Sequence, residues 1–136
     1  MITENSSSIH EKYGLETQAM IERLQASCSG NEYTQLERLL SFLEAEKLSD
    51  IVYYHAPANW ISGAFICTAT SPRHIDAVAD KLRRFHFNEQ KMIIDGEAKS
   101  QWVIASACGY IVHLFTQEMR EYYMLDAFWH KKEGLR

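Results

Sequence analysis

The chain has 136 residues, 46% of them hydrophobic, and a formal net charge of −4. That length and composition fit one folded domain and exclude global disorder. The mild acidity excludes bulk, sequence-blind binding to nucleic acid, DNA included, which runs on basic residues. The charge is uneven: residues 1–50 hold nine acids and four bases, residues 51–136 nine acids and ten bases.

In chain order, residues 1–30 read as a polar extension with a short helix over 11–27, broken by SCSGN at 27–31. Leu36, Leu39, Leu40 and Leu43 then recur at i, i+3, i+4 and i+7, which predicts an amphipathic helix. Thr34 and Glu37 have capping-box spacing and place its start near 34. SDIVYYHA (49–56) crowds β-branched and aromatic residues and reads as a strand. Pro57 and Gly63 punctuate a turn before a buried strand at 64–70, AFICTAT. Ser71 then caps a helix with Pro72 at its first position, running to about Phe85. Its apolar face is Ile75, Val78, Ala79, Leu82 and Phe85. Strands are expected at 90–95, 101–107 and 110–115, the last two forming a hairpin through Cys108 and Gly109. Thr116 caps a closing helix from Gln117 to about Trp129. The pattern is an α/β fold with a mixed sheet of about five strands flanked by helices.

The chemistry expected of an enzyme is missing. There is no GxSxG elbow, no Walker loop and no HExxH. His55, His74, His86, His113 and His130 are scattered, so no metal site is expected. Cys28, Cys67 and Cys108 make an odd set without a CxxC pair, which points to a reducing compartment. Ser62-Gly63 ahead of a strand has the look of a nucleotidyltransferase, but 64–70 and 101–115 contain no carboxylate to hold Mg²⁺. His113 lies mid-strand, where a lone histidine is more often a hydrogen-bonded structural residue than a base. The opening MITENSSSIHEKYG has neither the basic nor the apolar part of a secretory leader, and no stretch is long and apolar enough to span a bilayer. A cytoplasmic protein is expected.

Against that background, Ser49 to Trp129 resembles the Iojap-like ribosomal silencing factors. The residues that carry the resemblance are SDIVYY, FICTAT, SPRH, DGE, QWVIAS, VHLF and REYYMLDAFW. Order and spacing from Gly96 to Trp129 match the family pattern without a gap. The chain departs from that pattern at Ser62, at Tyr54-His55, and at the hairpin, where Ser106, Ala107, Cys108 and Gly109 stand in for the usual Asp-x-Gly-Asp.

The resemblance implies a nucleotidyltransferase-like fold over 31–136, with neither catalytic residues nor a cofactor. It implies binding to the large ribosomal subunit, through the protein numbered fourteen on its inter-subunit face, that blocks joining of the small subunit. A role in large-subunit assembly is the alternative, since organelle relatives assist it. Some members form homodimers, for which the Leu36–Leu43 helix is the candidate seam. Carried over by motif, the partner-binding residues are Arg73, His74, Glu97, Trp102, His113, Arg120 and Tyr123. For each the alternative is a structural role, and for Trp102 and Arg120 the two stand level.

Overall fold

The leucine stripe finds its place in α1 (Gly30–Ala45), where Leu36, Leu39, Leu40 and Leu43 are all fully buried. The computed structural model describes residues 30–58 and 61–127. The expectations for residues 1–29 and for Phe128 and Trp129 lie outside the described residues. Helix α1 is already formed at Gly30, one turn ahead of the predicted start, so Thr34 is interior to it and not its cap. Tertiary contact carries the extra turn: Tyr33 packs on the core, and the Tyr110 hydroxyl donates to Glu32.

Strand β1 (Ser49–Ala58) pairs antiparallel with β2 (Ile61–Ala69). Gly63, expected in a turn, lies within β2 opposite His55. A Cβ there would overlap the Tyr53 ring, so the glycine makes room for a core aromatic. Ser71 caps α2 (Pro72–Leu82), its side chain accepting the His74 amide at 3.1 Å, and Pro72 opens the helix as expected. The helix ends at Leu82, short of Phe85: the Arg83 amide makes the last i→i−4 bond, to Ala79, and the Arg84 and Phe85 amides tighten to i→i−3 bonds with the Lys81 and Leu82 carbonyls. Phe85 still packs, against Phe42 of α1 at 5.3 Å between ring centroids.

The strand expected at 90–95 is divided. Gln90–Lys91 (β4) pairs with His86–Phe87 (β3) in a small hairpin, and Ile93–Glu97 (β5) joins the main sheet. Asn88 and Glu89 take the left-handed conformation that a two-residue hairpin turn requires, and buried Met92 separates the two pieces. Strands β6 (Trp102–Ala107) and β7 (Tyr110–Thr116) form the expected hairpin, with left-handed Cys108 and Gly109 at its tip.

The main sheet runs β1-β2-β7-β6-β5, mixed because β2 and β7 are parallel while the other neighbours are antiparallel. Period-2 alternation gives it two faces. One carries Tyr53, Phe65, Cys67, Val103, Ala105, Val112 and Leu114 and packs under α1 and α2. The other carries Tyr54, Ala64, Ile66 and Phe115, against which Val52, Trp102, Ile111, Met119 and Leu125 pack. The closing helix, α3 (Gln117–Tyr123), is half the predicted length. It starts as expected, with Thr116 Oγ1 accepting the Met119 amide, and stops where Met124 turns left-handed at φ 52°. Helical geometry resumes at Leu125.

Candidate functional site

Cross-strand partners in an antiparallel sheet share a face, so the register reads out the surface on the α3 side row by row. One row is Glu97, Trp102 and Phe115, the next Asp95, Ile104 and His113, the third Ile93, Ser106 and Ile111. Helix α3 and the residues after it cover the β1, β2 and β7 part of this face through Met119 and Leu125. The β5–β6 part is less covered: Ile104, Ser106 and Ile111 are half-buried, Asp95 and Glu97 exposed.

Trp102 organises one end of the open part. Its indole stacks on Phe115 at 5.2 Å and meets Tyr123 at 4.7 Å. Its Nε1–H donates to Nδ1 of His113 at 3.3 Å. His113 is therefore a hydrogen-bond acceptor at Nδ1, fixed in the neutral form. Burial pushes its pKa down to about 4, against a weaker opposing pull from the Asp126 charge. Beyond Trp102, Tyr122, Tyr123 and Met124 are 74%, 49% and 65% exposed, and Tyr122 meets Tyr123 edge-on. At the far corner Ile93 is 67% exposed. Large apolar side chains collected like this on one surface mark contact sites.

Arg120 has its side chain in the interior. Its Nε and Nη2 grip Asp126 at 2.8 and 2.9 Å, and Nη1 donates to the Asp50 carbonyl at 2.7 Å and to Thr68 Oγ1 at 2.8 Å. Tyr54 adds its hydroxyl to Asp126 at 3.3 Å. Burial alone would lower the Arg120 pKa, but the hydrogen bonds and charge of Asp126 raise it. Burial alone would raise that of Asp126, but Arg120 holds its carboxyl below the usual aspartate range. Arg120 thus ties α3 to β1 and β2. A cleft of about 790 Å³ opens beside it, with Glu44, Asp50, Glu121 and Met124 on its walls.

The seven residues singled out from the sequence divide in space. Trp102, His113, Arg120 and Tyr123 converge on the α3 side of the sheet, with Glu97 exposed at its edge and paired with Lys99 at 3.3 Å. Arg73 and His74 belong to α2, which packs on the opposite face. Arg73 is exposed. His74 is a clamp: its Nδ1 accepts the Thr70 amide at 3.0 Å, and its Nε2 donates to the Glu46 carbonyl at 2.7 Å. Of the seven, Arg73, Glu97, Trp102 and Tyr123 have surface to offer, whereas His74, His113 and Arg120 hold other groups in place.

Sequence reasoning missed Asp126, Tyr54, Met124 and Ile93. The Arg120–Asp126 spacing of six is not a helical pairing interval, so the pattern alone gave no sign of it. Gly96 lies within β5 opposite Val103 at φ 93°, where a Cβ would press on the Trp102 carbonyl. Among the described residues no group of His, Cys, Asp and Glu comes together to hold a metal. Cys67 is fully buried, and burial raises its pKa out of reach of thiolate chemistry. No described helix is long and apolar enough to cross a membrane.

A family model described as ribosomal silencing factor during starvation matches residues 30–135. A ribosomal silencing factor of Haemophilus influenzae is 28% identical over 100 residues, covering 69% of this chain and 96% of that protein. A crystallised protein of Chromobacterium violaceum superposes with a TM-score of 0.61 at 24% identity, over 71% of this chain and 84% of its own. One from Bacillus halodurans does so at 0.57 and 24%, over 69% and 91%. At that identity the two crystal structures speak for the fold alone.

Proposed function

The chain belongs to the family of ribosomal silencing factors during starvation, and from that premise we propose that it represses translation as a binding factor, without chemistry. It docks on the inter-subunit face of the large ribosomal subunit, through the protein numbered fourteen, and sterically blocks joining of the small subunit. The family match across 30–135 carries this reading.

The geometry supports it. The partly open sheet face has an aromatic end at Trp102 and Tyr123, an aliphatic corner at Ile93, and the carboxylates of Asp95 and Glu97 along its edge. An apolar patch with an acidic rim complements a basic protein surface better than it complements phosphates. Of the residues carried over by motif, Trp102 and Tyr123 make the contact and Glu97 lies on the rim. His113 and Arg120 act by positioning them, and Arg73 and His74 serve from the far side of the sheet.

Co-sedimentation tests the proposal. The protein is loaded with large subunits, with small subunits and with both together. The expected result is travel with the large subunit alone and a lowered fraction of joined particles. Binding to precursor particles only would replace silencing with a role in large-subunit assembly.

A further inference from the structure

We infer that Asp126 is a positioning residue for the docking surface: its two-point grip on Arg120 fixes the break after α3 and ties that helix to the sheet, and so holds Tyr123, with Tyr122 against it, beside Trp102 as one projecting anchor. The inference rests on the reading of the chain as a large-subunit binder and specifies what shapes that surface.

Helix geometry is the first support. Three consecutive residues of an α-helix sweep about 200° of its circumference and leave an arc of about 160° for the sheet, and α3 uses it by turning Arg120 inward and Glu121, Tyr122 and Tyr123 outward. Here Tyr122, Tyr123 and Met124 are all exposed. Tyr122 and Tyr123 are exposed on α3 itself, which stops at Tyr123, and the chain turns at Met124, whose amide still reaches the Arg120 carbonyl at 3.1 Å. Met124 does so at φ 52°, a conformation unfavourable for a residue with a Cβ and found where the surroundings enforce it.

The ion pair supplies the enforcement. On a continuous helix, residues six apart are separated by about 9 Å of rise and lie some 120° apart around the axis. The bidentate contact of Arg120 with Asp126, at 2.8 and 2.9 Å, is incompatible with that geometry. Bending at Met124 makes it available. Both partners are also fastened to the sheet, Arg120 through the Asp50 carbonyl and Thr68, Asp126 through the Tyr54 hydroxyl. The break is thus locked from both ends. Its product joins the sheet surface, because Tyr123 contacts Trp102 on one side and Tyr122 on the other. Aromatic side chains so held are strong anchors for a protein partner.

Two variants of the full chain separate shape from contact. Asp126→Asn removes the charge that grips Arg120. Tyr122→Ala removes an exposed anchor side chain and leaves the Arg120–Asp126 pair in place. Each is assayed for binding to purified large subunits at a temperature where circular dichroism shows it folded, and for amide hydrogen exchange over 120–127. For Asp126→Asn the amides of 124–127 exchange roughly tenfold faster and binding weakens about tenfold. For Tyr122→Ala exchange stays slow while binding still falls by about fivefold, a combination that a purely structural role for this segment would not produce. Asp126→Glu, which keeps the charge, recovers part of the lost affinity.

A folded Asp126→Asn variant with fast exchange and wild-type binding overturns the positioning role. Wild-type binding by Tyr122→Ala overturns the anchor, and that variant decides alone if Asp126→Asn does not fold. If the wild-type chain itself ignores large subunits, the functional reading fails and the docking role falls with it. The exchange data then still report whether Asp126 fixes the break.

Discussion

The two faces of the sheet are built from the same strands and held by different physics. Under α1 and α2 the side chains are apolar, interlocked and fully buried, from Leu36 to Leu114. Under α3 the apolar cluster is small, and a polar network does much of the fastening: Arg120 to Asp126, Thr68 and the Asp50 carbonyl, Tyr54 to Asp126, Trp102 to His113. The first face is closed and carries no chemistry. The second is half open and ends in exposed aromatics. Hydrophobic burial is non-directional and fills space. Hydrogen bonds and ion pairs fix orientation, which a surface meant to present particular side chains needs.

Substitution tests this contrast directly. Leu39→Ala on the closed face and Arg120→Met on the other each cost about 3 kcal/mol in denaturant unfolding, one through a cavity and one through a stranded carboxylate. They separate with pH. Asp126 is held below its ordinary range, so the stability that Arg120 gives it is complete above the ordinary aspartate pKa and lost as pH falls through the folded value. Leu39→Ala retains that acid sensitivity, and Arg120→Met loses it. Equal pH profiles for the two variants would erase the distinction between the faces.

A comparable effect comes from His113. Protonation is opposed in the folded protein, where the pKa is about 4, and not in the unfolded chain, where it is 6.5. Stability is therefore full above the unfolded value and falls as pH drops towards the folded one, by about 3 kcal/mol in all. His113→Asn, whose side-chain oxygen can accept the Trp102 N–H, flattens this slope. Unfolding midpoints across that pH range check it.

Smaller effects probe the open part. Trp102→Ala leaves the protein folded, since the indole is half-buried, and weakens large-subunit binding about tenfold or more, measured by sedimentation. Wild-type binding by the folded variant, or a lost fold, would move Trp102 to the scaffold. Ile93→Ser changes stability by less than about 0.5 kcal/mol, because its side chain is mostly exposed. A larger loss would mean that the β5 corner is packed and not presented.

Much of this was legible in the sequence. The leucine spacing fixed the buried stripe of α1, Ser71-Pro72 fixed the start of α2, and the run from Trp102 to Thr116 fixed the hairpin. These are local patterns, set by side-chain period and by backbone chemistry within a few residues. Where the reading missed, a distant contact decided. Gly63 reads as a turn until Tyr53 is seen filling the space above it. The segment 90–95 reads as one strand until Met92 is seen buried between two pieces.

For the candidate site, the sequence by itself determined the aromatic and charged residue types around 102–123 and, through their order, the family pattern they resemble. Only the tertiary structure decided what each side chain does. Arg120 looks like a solvated helix residue in the sequence and is an interior tie in the fold, because its partners lie six, 52 and 70 residues away. The same contacts tie α3 and the residues after it to the sheet. Helical periodicity describes neighbours within a turn or two, and it carries no information about a bond that forms only after the strands have met.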